Sequence, residues 1–203
     1  DEDDRFPLDP SQSNTPPTIS VSSSITVSEG STEVASVAVA DADSDSLTLS
    51  LSGDDAVKFS INQSTGALTF TTAPNFESPS DANSDNSYRV TVTVSDGTDQ
   101  TSQAVAVSVT DVNETPVITA VNSEAPASSG FTSVSAAEGQ TSAFNVTAAD
   151  PESDSLSYSI SGVDGSLFSI NSEGVVTFKS APDYEIPLDS DGDNIYAMTV
   201  TAA

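Results

Sequence analysis

"FSINQSTGALTF" (residues 59–70) recurs later in the chain as "FSINSEGVVTF" (residues 168–178). A second segment, "APNFESPSD" (73–81), recurs in the same order as "APDYEIPLD" (181–189). Further pairs, such as "DADSDSLTLSLSG" with "DPESDSLSYSISG", keep that order along the chain. Ordered self-similarity of this kind is typical of repeat proteins. The sequence therefore predicts a tandem duplication of one domain.

Within the first copy, short runs rich in Val, Ile, Thr and Phe alternate with turns rich in Gly, Asp, Asn and Pro. No helical period is sustained, so the pattern predicts an all-β domain. Seven short strands in about 100 residues are typical of a Greek-key β-sandwich. The predicted strands span residues 18–27, 33–40, 46–51, 57–61, 67–72, 88–95 and 101–110.

The two copies differ at their ends. Copy one closes with "SDGTDQTSQAVAVSVTDVNETP" (95–116), whereas copy two stops at Ala203 before any equivalent segment. We therefore expect the second sandwich to lack its last strand and the natural protein to continue. The acidic, Pro-rich opening, residues 1–14, is predicted to be a flexible leader. The expected domains are residues 15–112 and 113–203.

Composition limits the possible functions. The 203 residues carry a net charge of −27 with only four cations, which would repel nucleic acids and anionic membrane surfaces. The chain has no Cys and no His, so it lacks thiolate chemistry and the commonest general base. No apolar run reaches the ~20 residues of a membrane span. The partners that this composition favours are therefore cations, divalent metal ions above all.

Strand parity sorts the carboxylates to the two ends of each sandwich, because successive strands run in opposite directions. One end of copy one would gather the turn after the first strand, the element "NFE" and the exit "TDVNE". The opposite end of copy two, which follows directly, would add the turn "DPESD". The junction would thus collect six carboxylates: Glu29, Glu77, Asp111, Glu114, Asp150 and Glu152.

Such a cluster is unfavourable unless cations neutralise it, because like charges a few ångströms apart disfavour ionisation. With only oxygen donors and no His or Cys, the ligand set suits Ca²⁺ rather than zinc or copper. Six negative charges match up to three calcium ions. The sequence therefore predicts calcium as the cofactor.

"DSDGDN" (189–194) also has the alternate carboxylates that calcium loops use. An EF-hand counted from Asp189 would need Gly at its sixth place and Glu at its twelfth. Those places hold Asn194 and Val200, so the EF-hand interpretation fails. We expect an acidic turn here, with an accessory calcium ion as the open alternative.

Together these segments resemble the cadherin repeat, particularly its bacterial versions, over nearly all of residues 15–203. The resemblance rests on the Glu-Gly turn, the DxD-type turn, "FSINQSTGAL", the [ND]-[FY]-E element and the linker "DVNETP". It implies tandem cadherin or Ig-like sandwiches on a secreted or cell-surface bacterial protein. It also implies two sets of calcium ligands: Glu29, Asn75, Glu77, Asp111, Asn113, Glu114, Asp150 and Glu152 between the repeats, and Asp41, Asp43 and Asp96 at the start of copy one.

The leading functional hypothesis is a non-enzymatic, calcium-rigidified adhesion or stalk module whose partner is another adhesive protein or a polysaccharide. The main alternative, implied by the resemblance, is a calcium-dependent carbohydrate-binding module. Against it, the chain has no Trp, and only Phe6, Phe131, Phe144 and Tyr158 are aromatics unpaired between the copies. Glycosidase chemistry needs two carboxylates, but no motif singles out such a pair. Salt adaptation would explain the charge but not its placement.

Overall fold

The computed structural model describes residues 14–127 and 130–203, so the predicted leader lies outside the described residues except for Asn14. The chain forms two compact units, one ending at Val112 and the other beginning at Asn113. Each unit has its own buried cluster and is described here by itself.

The described residues of unit 1 form nine strands in three sheets. β2, β9, β8 and β5 form a four-stranded sheet in that order, β3, β7 and β6 form a second sheet, and β1 pairs with β4. A 3-10 turn, Ala56–Lys58, precedes β6. The strands are β1 (Thr18–Ser20), β2 (Ser24–Ser28), β3 (Glu33–Ser36), β4 (Ala38–Ala40), β5 (Thr48–Ser52), β6 (Phe59–Ile61), β7 (Ala67–Phe70), β8 (Ser87–Ser95) and β9 (Gln100–Thr110).

Two predicted strands are each divided in the structure. The predicted strand 18–27 is β1 followed by β2, and these pair with different sheets: β1 antiparallel to β4, β2 parallel to β9. The predicted strand 33–40 is likewise β3 and β4, which pair with β7 and β1. The alternation of apolar and polar residues continues unchanged at the point where the chain passes from one sheet to another. The sequence pattern therefore did not reveal that point.

The core of unit 1 contains a compact aromatic trio. Phe59 and Phe70 stack at 4.6 Å between ring centroids, and Tyr88 meets both rings edge-on at 6.2 and 5.0 Å. Val92 and Val107, on neighbouring strands, are fully buried beside them. Burial of each large apolar side chain contributes about 1.5–3 kcal/mol, so these strands are fixed by packing. Phe59, Phe70 and Tyr88, which recur as Phe168, Phe178 and Tyr196, are therefore core residues of this unit.

The described residues of unit 2 repeat most of this plan with six strands. β10, β11, β14 and β13 form one sheet, and β12 pairs only with β15. Among the described residues, no strand corresponds to β9. The strands are β10 (Val117–Val121), β11 (Ser142–Ala149), β12 (Tyr158–Ser161), β13 (Phe168–Ile170), β14 (Val175–Phe178) and β15 (Thr199–Ala202), with a 3-10 turn at Gly165–Leu167. The prediction of two all-β repeats, the second without its last strand, is confirmed.

The glycine of the repeated FSIN segment has a structural role in both units. Gly66 and Gly174 have φ of +68° and +79°, a conformation that other residues rarely adopt. Their carbonyls accept hydrogen bonds from Val37 (2.8 Å) and Val146 (2.9 Å), and a Cβ would collide with the carbonyl oxygen of the same valine. The close approach of two backbones therefore explains why glycine stands at this place in both copies.

Candidate metal centres

One end of unit 1 brings three of the predicted ligands together. Carboxylate oxygens of Glu29, Glu77 and Asp111 lie within 4.8 Å of one another. Glu29 is buried, whereas Glu77 and Asp111 are exposed. The group therefore combines one buried carboxylate, that of Glu29, with two carboxylates that are exposed to solvent.

The strand pairing explains how these residues meet. Glu29 follows β2 and Asp111 follows β9, and the parallel pairing of Ser28 with Thr110 places the two strand ends side by side. Gly30 N–H donates to the Pro74 carbonyl at 3.0 Å, which attaches the loop that carries Glu77. Because parallel partners end at the same edge of a sheet, distant acidic residues converge there.

Glu29 also holds the two neighbouring segments in place. Its Oε2 accepts a hydrogen bond from Phe76 N–H at 2.8 Å, and its Oε1 accepts one from Val112 N–H at 2.9 Å. Hydrogen bonds to a charged acceptor are the stronger kind. One carboxylate thus positions the segments on which Glu77 and Asp111 lie.

Asn75, another predicted ligand, lies on the loop that also carries Glu77. Its Oδ1 accepts a hydrogen bond from Ser78 N–H and closes a turn, as Asn side chains often do.

The opposite end of unit 1 holds a second acidic group, Asp41, Asp43 and Asp45, again with oxygens within 4.8 Å of one another. Asp41 Oδ1 accepts hydrogen bonds from the N–H groups of Asp43 (2.8 Å) and Asp45 (3.2 Å). Asp41 Oδ2 is buried and has no hydrogen-bond partner in the described part of the chain. Thr15 N–H donates to Asp43 Oδ2 at 2.7 Å, and this bond attaches the segment before β1 to the acidic group.

Asp96 is connected to this end of unit 1 by a hydrogen bond from Asn14, which precedes Thr15. Its Oδ1 accepts hydrogen bonds from Asp99 N–H (2.6 Å) and Thr98 N–H (2.7 Å), and these hold the pKa of Asp96 below its ordinary value. The Asn14 side chain donates to Asp96 (3.1 Å) and Asp99 (2.8 Å). Asn14, Asp45 and Asp99 were not predicted as site residues, although Asn14 aligns with Asn113 of the later linker.

The start of unit 2 reproduces the same local bonds. Glu114 N–H donates to Glu152 Oε2 at 3.3 Å, as Thr15 does to Asp43, and Asp154 N–H donates to Asp150 Oδ1 at 3.1 Å. Glu152 Oε1 is buried without a hydrogen-bond partner among the residues described. The Asn113 side chain donates to the Glu114 carbonyl at 2.8 Å.

Unit 2 has one acidic group that the sequence reasoning missed. Glu138, Asp183 and Glu185 are exposed and have oxygens within 4.8 Å of one another. Tyr184 N–H donates to Glu138 Oε2 at 2.9 Å, and Gly139 N–H donates to the Pro182 carbonyl at 2.8 Å. These bonds match those at Glu29 and Gly30. The repeat itself was the signal, since "AEGQ" pairs with "SEGS" and "PDYE" with "PNFE".

The "DSDGDN" stretch forms a closed turn that carries another acidic group, Asp189, Asp191 and Asp193. Asp189 is 8% exposed and accepts hydrogen bonds from the N–H groups of Asp193 (2.9 Å) and Asn194 (3.2 Å). Burial acts against ionisation of Asp189, yet these bonds hold its pKa below the ordinary value. Asp81 accepts the same pair of bonds at the same distances in unit 1. The turn therefore closes in both units, with or without the extra aspartate.

Asp191 is the unfavourable member of this turn, because hydrogen bonding to Asp189 and repulsion from Asp193 raise its pKa above 3.8. A raised pKa in the folded state means that the charged form destabilises the fold at neutral pH. Asp191→Asn, which installs the residue found at Asn83 in unit 1, should therefore raise the urea midpoint of the calcium-free protein at pH 7. The gain should shrink as the pH falls through the folded pKa and vanish below 3.8, where both states are protonated. Equal gains at pH 7 and pH 3 would contradict this assignment.

The donor chemistry at these ends fits Ca²⁺. The chain offers carboxylate, amide and backbone oxygens and has neither His nor Cys, which is the ligand set that calcium prefers. The buried, unpartnered oxygens of Asp41 and Glu152 are atoms that a cation would satisfy, because buried polar atoms normally have a partner. Calcium bound there would neutralise the negative charge of these carboxylates.

The chain resembles solved cadherin structures along most of its length. Human protocadherin-24 EC1-2 (form II) is 22% identical, with a TM-score of 0.51, and the match covers 89% of this chain and 90% of that one. Drosophila N-cadherin EC1-4 is 23% identical, with a TM-score of 0.51, over 93% of this chain and 45% of that one. The fold is therefore cadherin-like.

Two further comparisons concern the sequence. Residues 14–110 match the family model of the bacterial Ig domain, which covers almost all of the described part of unit 1. Comparison with the curated proteins found no relative of this chain. Within residues 14–127 and 130–203, no helix is long and apolar enough to cross a membrane.

Proposed function

We propose that this cadherin-like chain is a calcium-binding adhesion or stalk segment of a bacterial extracellular protein. The observation that carries the proposal is the convergence of Glu29, Glu77 and Asp111 within 4.8 Å. These residues come from three distant parts of unit 1. Three carboxylates so close together are unfavourable unless a cation neutralises them.

The linker would couple the two units to the ion. Asp111 lies in the first acidic group, whereas Asn113 and Glu114 begin unit 2, and only Val112 separates them. We propose that calcium held by Glu29, Asn75, Glu77 and Asp111 is shared with the set Asn113, Glu114, Asp150 and Glu152. Because an ion that binds one arrangement more tightly shifts the population toward it, calcium would stiffen the chain at the linker.

Asp41, Asp43 and Asp96 would form a separate calcium site at the start of unit 1. The support is the unpartnered Asp41 Oδ2 and the attachment of Asn14 and Thr15 to this end. The proposed function makes or breaks no covalent bond.

The aromatic residues do not favour carbohydrate binding over adhesion. Phe144 and Tyr158, two of the unpaired aromatics, pack against the buried cluster of unit 2 and so offer no flat platform to a sugar. Phe131 is 85% exposed, and Phe6 lies outside the described residues. A polysaccharide partner therefore has no specific structural support.

Calcium titration of the whole chain tests the proposal. We expect saturable binding in the calorimeter, with dissociation constants near the roughly 0.1–1 mM range of extracellular calcium modules. Amide exchange at residues 111–115 should slow in calcium relative to chelator, because the linker carries ligands for the ion. Equal exchange at the linker in calcium and in chelator would overturn the stiffening role.

Salt-matched controls separate a calcium site from general charge screening. Sodium chloride at equal ionic strength should not reproduce the slowing, because screening acts on the whole acidic surface rather than on one group. If sodium chloride slows exchange at the linker as much as calcium does, salt adaptation explains the charge better.

A further inference from the structure

Three Asp-Gly pairs occur in the chain, and each stands in a different turn. They are Asp96 with Gly97, Asp164 with Gly165, and Asp191 with Gly192. In such a pair the glycine nitrogen can attack the aspartate carboxyl carbon, because glycine has no side chain to shield that nitrogen. The attack requires that the carboxyl group and the N–H group are free and close together. The hydrogen bonds of these two groups therefore decide which pair reacts in the folded protein.

Both groups of the first pair are engaged in hydrogen bonds. Asp96 Oδ1 accepts hydrogen bonds from Thr98 N–H at 2.7 Å and Asp99 N–H at 2.6 Å. The Gly97 N–H donates to Ser95 Oγ at 3.1 Å. Attack of the Gly97 nitrogen on Asp96 would break these bonds, so the fold protects this pair.

The second pair is protected by burial as well as by hydrogen bonds. Asp164 is 3% exposed, and its two oxygens accept hydrogen bonds from Ser190 N–H (2.8 Å) and Ala197 N–H (2.7 Å). Gly165 is buried, and its N–H donates to the Gly162 carbonyl at 3.2 Å. The Asp164 carboxyl group therefore cannot turn toward the Gly165 nitrogen without losing both of its donors.

The third pair, Asp191 with Gly192, lies at the exposed tip of the turn formed by residues 189–194. Asp193 N–H donates to Asp189 at 2.9 Å, so the chain is held just beyond the pair. The Gly192 N–H makes no hydrogen bond with any described residue. A Cβ placed at Gly192 would meet nothing within 4 Å. The Gly192 nitrogen is therefore free and accessible, unlike those of Gly97 and Gly165.

The neighbours of Asp191 favour the reactive form of its carboxyl group. Hydrogen bonding to Asp189 and repulsion from Asp193 raise the pKa of Asp191 above 3.8. Only the protonated carboxyl group reacts readily, because its hydroxyl group can leave as water. The charges that disfavour ionised Asp191 therefore also favour attack by the Gly192 nitrogen.

The geometry of this turn does not depend on β9. In unit 1, where β9 is present, Asp81 accepts two backbone N–H hydrogen bonds at 2.9 and 3.2 Å. Asp189 accepts the equivalent two at the same distances. The turns differ at the tip, where unit 1 has Asn83 and Ser84 in place of the Asp-Gly pair. The accessible pair is therefore a property of the unit 2 turn itself.

We propose that Asp191 is a site of spontaneous backbone isomerisation, at which aspartate is converted to isoaspartate. The Gly192 nitrogen bonds to the Asp191 side-chain carboxyl carbon, and the carboxyl hydroxyl leaves with the N–H proton as one water molecule. The product is a five-membered succinimide ring, which water reopens at either carbonyl. Opening at the side-chain carbonyl restores aspartate, whereas opening at the backbone carbonyl leaves isoaspartate. The two steps release and consume one water molecule, and they need no oxidant or reductant.

Isomerisation would change the turn, because isoaspartate adds one atom to the main chain between Asp191 and Gly192. The hydrogen bonds that close the turn onto Asp189 come from Asp193 and Asn194, directly after the added atom. A longer main chain would stretch these bonds. The modified protein should therefore show faster amide exchange at Asp193 and Asn194 than the unmodified protein.

Incubation of the whole chain in chelator at mildly acidic pH, followed by peptide mapping that separates isoaspartyl from aspartyl peptides, tests the proposal. Trypsin cleavage after Lys179 releases residues 180–203, which contain no other Asp-Gly pair. The chain unfolded in guanidinium gives the reference rates, since all three pairs are then free. We expect folding to slow isomerisation roughly tenfold or more at Asp96 and Asp164, but less than about threefold at Asp191. Equal slowing at Asp191 and Asp164 would overturn the proposal.

Two matched variants assign the product to this pair. Asp191→Glu keeps the carboxylate but would have to close a six-membered ring, so isoaspartate in residues 180–203 should form roughly tenfold more slowly or less. Gly192→Ser installs the residue that unit 1 has at Ser84, where φ is also positive, and its side chain should slow the attack similarly. If Asp191→Glu accumulates isoaspartate in this peptide at the native rate, another residue is the source and the proposal is wrong, whether or not the serine variant folds.

Discussion

Replacing Glu29 by alanine is expected to reduce calcium affinity at this end of unit 1 roughly 100-fold, in line with the upper range for lost supporting contacts at metal sites. The carboxylate is both a proposed ligand and the acceptor for Phe76 and Val112 N–H groups. Its loss would also release the segments that carry Glu77 and Asp111. At a calcium concentration 100 times the native dissociation constant, the native protein should gain about 2.7 kcal/mol and the variant only about 0.4. Calorimetry and urea unfolding with and without calcium measure both effects.

Glu33→Ala is the matched control, since it removes one exposed carboxylate from β3 and leaves the converging group intact. It should retain native calcium affinity. Equal losses in the two variants would show that overall charge matters rather than the placement of Glu29. Full calcium affinity in a folded Glu29→Ala variant would contradict the assignment of the site.

Replacing Asp55 by alanine should lower the free energy of unfolding of unit 1 by about 3–5 kcal/mol. Asp55 is only 3% exposed, and its two oxygens accept hydrogen bonds from Ala82 N–H and Arg89 N–H, both at 2.7 Å. Hydrogen bonds to charged groups contribute about 1.5–3 kcal/mol each, and both N–H groups would lose their acceptor. Asp55 attaches the long loop of residues 71–86 to β8, so its loss should also loosen the segment that carries Glu77. Urea unfolding in chelator measures the change.

The neighbouring Asp54 supplies the control. It is exposed, and Asp54→Ala removes the same charge from the same turn. We expect a change within about 0.5 kcal/mol, as for most surface substitutions. Asp164 accepts the equivalent bonds from Ser190 and Ala197 in unit 2, so Asp164→Ala should destabilise that unit too. Similar stability of the Asp54 and Asp55 variants would disprove a structural role for the buried carboxylate.

Neither Asp55 nor Asp164 was recognisable as a structural residue from the sequence. Both stand in polar turns among many other acidic residues, and only their burial and partners distinguish them. Glu138, Asp183 and Glu185 are a different case, because the repeat aligned them with residues already proposed as ligands. Their convergence follows from bonds at Gly139 and Tyr184 that repeat those at Gly30 and Phe76.

The "DSDGDN" stretch forms a turn, which the sequence favoured over an EF-hand loop. The Asp189 carboxylate closes this turn through Asp193 and Asn194. Asp81 does the same in unit 1 with Asn83 in place of Asp191. Alternating aspartates are therefore compatible with a self-closing turn, which sequence spacing does not distinguish from a metal loop.

The sequence by itself established the duplication, the all-β class and the absence of a last strand in copy two. Repetition and alternation are properties of the chain, and burial of one face of each strand enforces them. The division of the first strand into β1 and β2, and the carboxylates used as backbone acceptors, required the folded structure. These features depend on which backbone groups find partners across the sheets, and such pairings join residues far apart in sequence whose local patterns are alike.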